Sequence, residues 1–217
     1  MSVVCEKCLE LESQCLCAQL EKIETVPTRL KVLILQHPQE PEHDLGTAHL
    51  VQRILPKAQV RVGLSWPNLK AALGVQEVQS ARWVVLYLGS GVKGDAGAVE
   101  DRDAVLQFVS RQGNRVSEPP RDQVEGIVVL DGTWSQAKAL WWRNAWLLKL
   151  KRAILSPKQK SLYGALRKEP RRECLSTLES VGESLVALGE PPEVNEKLIS
   201  LFRMFLDNRQ KSKPRRR

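Results

Sequence analysis

The sequence predicts an α/β fold, a mostly parallel sheet with helices on both faces. Two observations carry this. Short apolar runs rich in branched residues recur at Leu30 to Leu35, Trp83 to Leu88 and Ile127 to Leu130, the pattern of strands covered on both sides, as parallel strands are. Segments with apolar residues at helical spacing lie between them, and strands alternating with helices build parallel sheets through crossovers. At 217 residues and 42% hydrophobic content, the chain buries one good core with room for a small appendage, not two large domains.

Residues 1–28 form the appendage. Cys5, Cys8, Cys15 and Cys17 are spaced C-x2-C-x6-C-x-C, and two such close pairs surround one tetrahedral zinc, whose binding supplies the folding energy that little apolar content cannot. An iron–sulfur centre accepts the same four thiolates and is the main alternative. A disulfide pair is disfavoured outside a secreted context. The site is closed, with no ligand position left for catalysis, and Cys174 reads as a small buried hydrophobe. Gln19 to Thr28 is a polar link.

Residues 29–208 form the main domain. Its first strand, Leu30 to Leu35, is broken by Gln36-His37-Pro38-Gln39-Glu40. Thr47 to Leu55 has helical periodicity, Val60 to Leu64 reads as a second strand, and Trp66 to Leu73 as a short helix. Trp83 to Leu88 is a strand ending in Gly89-Ser90-Gly91, and Ala98 to Arg111 reads as a helix. Ile127 to Leu130 is followed by a helix on which Trp134, Ala137, Trp141, Ala145 and Leu148 recur at helical spacing. Ala153 to Leu155 is a short strand, and helices at Ser176 to Leu188 and Val194 to Asn208 close the domain. Residues 209–217 carry six basic side chains and no acid and read as a disordered basic tail.

The net charge of +8 and a pI near 9.4 point to an anionic partner, a nucleic acid or a membrane surface. No apolar stretch is long enough to span a bilayer, and Glu6, Glu10 and Glu12 stand where a signal peptide would be basic. A cytoplasmic protein is expected. Between Lys149 and Arg172 nine basic residues face one acid, Glu169. An electropositive face built from Lys149, Lys151, Arg152, Lys158, Lys160, Arg167, Arg171 and Arg172 follows directly on the tryptophan-rich helix.

The junction Leu130-Asp131-Gly132-Thr133-Trp134 is where chemistry is expected. Asp131 falls at the carboxyl end of a strand, where open α/β sheets bind ligands, though an acid there also serves simply to bind backbone. Thr133 with Gln136, and Ser176 with Glu179, fit capping boxes, and helix N-termini present free N–H groups to anions. There is no Walker A sequence, no G-x-S-x-G elbow and no deaminase H-x-E with P-C-x-x-C. His37, His43 and His49 lack a metal-ligand spacing.

Taken in order, the four cysteines, Gln36 to Glu40, Thr47, Leu86-Tyr87-Leu88-Gly89-Ser90, Asp131 to Trp134, Tyr163 with Arg167 and Pro170, and Leu175-Ser176-Thr177-Leu178-Glu179 resemble the DTW-domain proteins, the tRNA-uridine aminocarboxypropyltransferases. The match spans most of the chain. Leu88 departs from it, standing where many members carry proline. The resemblance implies a SPOUT-like fold with a knot in its C-terminal half, S-adenosylmethionine as donor, and transfer of its 3-amino-3-carboxypropyl group to N3 of a uridine in tRNA. Asp131 would accept or orient the N3 proton. Leu88, Gly89, Ser90, Leu130, Gly132, Thr133, Trp134, Leu175, Ser176 and Thr177 would hold the donor, and the basic tract and tail would grip tRNA. No catalytic metal is implied, and a monomer is expected. A free aspartate titrates near ~3.9, too low for a strong base toward an imide, so Asp131 must be desolvated or act by positioning. Trp141, Trp142 and Trp146 are expected in packing. A SPOUT methyltransferase and a non-catalytic zinc-containing RNA-binding module are the rival readings.

Overall fold

The computed structural model describes residues 5–6, 15–40, 45–86, 105–157, 159–164, 166 and 175–211. Strands β1 (Lys31–Gln36), β2 (Ala58–Val62), β3 (Trp83–Leu86), β4 (Leu106–Val109), β5 (Gly126–Asp131) and β6 (Lys151–Leu155) form one sheet in the order β2-β1-β5-β3-β6-β4. All neighbours are parallel except β4, which runs antiparallel to β6. Among the described residues the helices are α1 (Cys17–Leu20), α2 (Ala48–Ile54), α3 (Leu69–Leu73), α4 (Trp134–Arg143), α5 (Thr177–Ala187) and α6 (Pro192–Lys211).

Strand alternation divides the core in two. Val32, Ile34, Val84, Ile127 and Val129 pack against α2, α5 and α6. Leu33, Leu35, Val85, Val128 and Leu130 pack on the opposite face against α3, α4 and Trp146. Sheet sides apolar on both faces are what continuous apolar runs encode. From β1 the chain crosses to β2 through α2 on one face, and from β5 it crosses to β6 through α4 on the other. The neighbouring strands β1 and β5 therefore send the chain in opposite directions, which opens a crevice at their carboxyl ends.

The link after the cysteines is seated on α2. Leu16 and Val26 are buried, Val26 N–H donates to Ile54 O at 2.9 Å, and Arg53 donates to Leu20 O at 2.7 Å.

Several expectations are corrected. Leu106–Val109, expected within a helix from Ala98 to Arg111, is an edge strand with Leu106 and Phe108 buried on one side. Its two-residue alternation and the open edge of β6 override the helical spacing, while residues 98–104 lie outside the description. The second strand begins two residues earlier than expected, since Ala58 is its buried position and Val62 is exposed. The last helix runs through Lys211, so 209–211 are not tail. Arg209 is buried with its guanidinium 5.1 Å from the Phe205 ring centroid. Residues 212–217 lie outside the description. α4 stops at Arg143, and Ala145–Lys149 is a 3-10 turn that leaves Ala145 and Leu148 exposed. Trp142 is 79% exposed rather than packed, whereas Trp146 is buried and donates to Trp66 O at 3.0 Å. The knot is expected in the C-terminal half, where residues 158, 165 and 167–174 lie outside the described residues.

The fully buried Trp83 ring lies against Gly126 at the start of β5. A Cβ on Gly126 would stand 2.7 Å from Lys31 O and 2.8 Å from that ring. Gly126→Ala is expected to cost about 1–3 kcal/mol by overpacking and to lower the thermal midpoint by several degrees in a calorimetric scan.

Candidate active site

β1 and β5 pair in register, Val32 with Ile127, Ile34 with Val129 and Gln36 with Asp131. The first two rungs enter the core beside α5, and the last rung of the same face is polar. Gln36 and Asp131 are both buried, and Gln36 Nε2 donates to Asp131 Oδ2 at 2.7 Å. Thr177, the first residue of α5, donates its hydroxyl to Asp131 Oδ1. The strand-end carboxylate is thus held on both oxygens by groups from two other segments. His37 N–H donates to Asp131 O at 3.0 Å and carries the ladder one residue past the strand.

Two helices start at this edge with complete capping boxes. Thr133 Oγ1 accepts from Gln136 N–H, and Gln136 Oε1 accepts from Thr133 N–H at 2.6 Å. Gln136 also donates to Gln39 Oε1 at 3.2 Å, joining α4 to the turn after β1. Gly132 has φ 154°, and a Cβ there would stand 2.9 Å from Gln136 Cβ, so the turn between Asp131 and the cap takes glycine. At α5, Ser176 and Glu179 cap each other, and Thr47 Oγ1 accepts from Leu178 N–H at 3.2 Å. Glu179 further accepts from Ser161 Oγ at 2.7 Å and Leu162 N–H at 2.8 Å, and Tyr163 OH donates to Leu45 O at 2.6 Å.

Of the residues expected to hold a donor, Gly132, Thr133 and Trp134 line the exposed start of α4, with Lys138 Nζ 5.6 Å from the Trp134 ring centroid. Leu130 points into the core on the α4 side, so only its backbone faces the junction. Leu175 is half-buried, Ser176 is buried and committed to its cap, and Thr177 is committed to Asp131. Leu88, Gly89 and Ser90 lie outside the described residues. Gln36 and Thr47 join this site although only their motif membership marked them in the sequence; the register of β1 on β5 is the signal that would have found Gln36.

The basic tract is split across the sheet. Lys149 and Lys151 stand at its amino edge and Lys160 lies beyond β6 on the other side; Arg152 is buried with its guanidinium 5.3 Å from the Trp141 ring centroid. Lys158, Arg167, Arg171 and Arg172 lie outside the described residues. At the N-terminus the sulfurs of Cys5, Cys15 and Cys17 lie within 4.8 Å of one another, with Cys5 and Cys17 4.0 Å apart. Thiolates around one zinc at about 2.3 Å stand about 3.8 Å apart, so this group fits a metal ion. Cys8 lies outside the description.

A mostly parallel sheet between helices, with a buried strand-end acid at its switch point beside two capped helix starts, defines an α/β protein whose candidate site lies at the carboxyl edge of the sheet. The DTW domain matches residues 2–210, and the chain belongs to that family. A Drosophila melanogaster protein named tRNA-uridine aminocarboxypropyltransferase 2 is 30% identical over 213 residues, covering 94% of this chain and 75% of that protein. The Mus musculus protein of that name is 26% identical over 197 residues, covering 90% of this chain and 59% of its own length. An Arabidopsis thaliana protein named tRNA-uridine aminocarboxypropyltransferase A is 26% identical over 215 residues, 92% of this chain and 78% of its own. No solved structure matches the chain significantly. No described helix is long and apolar enough to cross a membrane.

One turn beyond Glu179, burial pushes the Glu183 carboxyl above its ordinary value of 4.5, and the Glu179 charge adds to the rise. Its Oε2 is buried without a hydrogen-bond partner among the described residues. The native chain then holds this proton to higher pH than the unfolded chain, so its contribution to stability falls as pH rises through the window above 4.5. Glu183→Gln is expected to raise the thermal midpoint at pH 7, with the gain vanishing near pH 4.

Proposed function

We propose that this chain transfers the 3-amino-3-carboxypropyl group of S-adenosylmethionine to N3 of a uridine in tRNA, releasing methylthioadenosine, as a cytoplasmic monomer with a SPOUT-like knotted fold. The observation that carries this reading is the contact of Gln36, Asp131 and Thr177, where three segments quoted for the family resemblance meet at the switch point. The names of the relatives point the same way.

In the proposed transfer the uracil N3–carbon bond forms as the carbon–sulfur bond breaks. The electron pair of the broken bond goes to sulfur, and the N3 proton leaves to solvent or a nearby base. When bound, the donor supplies a sulfonium whose arm carbon is open to attack. The start of α4 suits the donor's carboxylate, since its first turn holds no acid and its N–H groups favour an anion, and Trp134 offers a half-buried aromatic face. Selection between the methyl and the longer arm is then a matter of orientation. With both oxygens already held by donors, Asp131 is a fixed acceptor that aligns the uracil rather than a freely moving base.

Asp131→Asn places an NH2 group against the Gln36 amide or the Thr177 hydroxyl and disturbs that alignment. Product formation should fall about a hundredfold or more, the scale of an ångström-level misplacement, while calorimetry still detects donor binding. Near-wild-type turnover would overturn the role. The reaction itself is tested by incubating the protein with S-adenosylmethionine and bulk tRNA and weighing the modified nucleosides. A methyl increment would instead identify a methyltransferase, and no increment a binding module.

Cys5, Cys15 and Cys17, with Cys8 as fourth ligand, are proposed to hold a structural zinc. Elemental analysis of the purified chain should give one zinc per molecule, lost in Cys15→Ser; stoichiometric iron would assign a cluster instead.

A further inference from the structure

A second concave surface lies at the opposite edge of the sheet, where β6 begins and the antiparallel β4 ends. Phe108, Val116 and Leu148 line it, together with Arg111, Lys149 and Lys151. Val116 and Leu148 are 45% and 41% exposed, so the apolar part is open to a partner. No acidic side chain among the described residues lines it. Neither lysine makes an ion pair among the described residues, and Arg111 is steadied by a 3.3 Å bond from Nη2 to Leu148 O.

Register fixes where this groove stands relative to Asp131. Val84 pairs with both Ile127 and Lys151, so Lys151 is level with Ile127, four residues before Asp131 and two strands away. At about 3.3 Å per residue and about 4.8 Å per strand, the two Cα positions are about 16 Å apart. A nucleic-acid strand advancing about 3.4 Å per step needs about five steps to cover that distance.

We propose that the groove lined by Arg111, Lys149 and Lys151 is a second RNA site, taking backbone phosphates on its cations and a sugar or base face on its apolar floor. The proposal rests on the reading of the chain as an RNA-modifying enzyme, and adds a length requirement. An RNA that places its target base at Asp131 must be long enough to round the β6–β4 edge. Cations beside an open apolar surface form the combination that binds single strands with little sequence preference.

The test is filter binding of bulk tRNA and of a uridine trinucleotide across a salt series, with the full chain. Lys149→Gln with Lys151→Gln, and the same pair with Arg111→Gln, are compared with wild type. The variants should bind tRNA at least tenfold more weakly at about 0.1 M salt and lose about 0.7–0.9 of salt slope per cation removed, with the thermal midpoint of the lysine pair unchanged and a smaller loss for the trinucleotide, which is too short to reach both sites at once. Should the Arg111 variant fail to fold, the lysine pair still decides. Unaltered tRNA affinity and slope in the lysine pair would overturn the groove, as would equal displacement of tRNA by an acidic polypeptide. Normal product from wild type with unaltered variant binding would sink the groove alone. Weakened variant binding with no tRNA product from wild type would sink the transferase reading and leave the groove standing.

Discussion

A single polar rung ends an otherwise apolar ladder, and the junction depends on it. A carboxylate buried between strand ends is costly unless donors satisfy it. Asp131 meets that demand with the amide of Gln36 on one oxygen and the hydroxyl of Thr177 on the other. Neither donor is local in sequence. The need to satisfy one acid therefore ties β1, β5 and the start of α5 together at the switch point, where the topology already leaves a crevice.

α5 is held at both ends. Its start is fixed by Asp131, by Thr47 at the entrance to α2, and by the bonds of Glu179 to its cap and to the 161–162 segment. Its far end is fixed by Arg29, which donates to Val124 O and Leu188 O, and by Glu190, which accepts from Leu30 N–H at 2.7 Å. Along its length α6 approaches so closely that a Cβ on Gly182 would run into Asn195 Oδ1. A helix anchored in this way presents Thr177 in one position, which positioning chemistry requires.

The strand–turn–helix junction was legible because its signals are local: a branched apolar run, then an acid, a glycine and a capping box within ten residues. The alternation that hides Val32 and Ile34 was legible too. Gln36 was not assigned a role, since its significance lies in a pairing 95 residues away. The Leu106 strand was misread because alternation over four residues competes poorly with a longer helical pattern, and only the open edge of β6 decides between them. Composition counted the basic tract as one face. The strand running through it separates Lys149 and Lys151 from Lys160, and Arg152 spends its charge on Trp141. Arg209 likewise belongs to a helix packed on Phe205 rather than to a tail.

The pairing of β1 with β5 has a meaning in time as well as in space. Gln36 leaves the ribosome 95 residues before its partner Asp131, and Thr177 follows a further 46 residues later. The strand first made, second from one edge of the finished sheet, waits for an inner neighbour that does not yet exist. Long-range parallel pairing of this kind is slow to form, and shorter intermediates expose an unpaired, apolar strand. The crevice at the carboxyl edge is thus assembled only after Thr177 has been made.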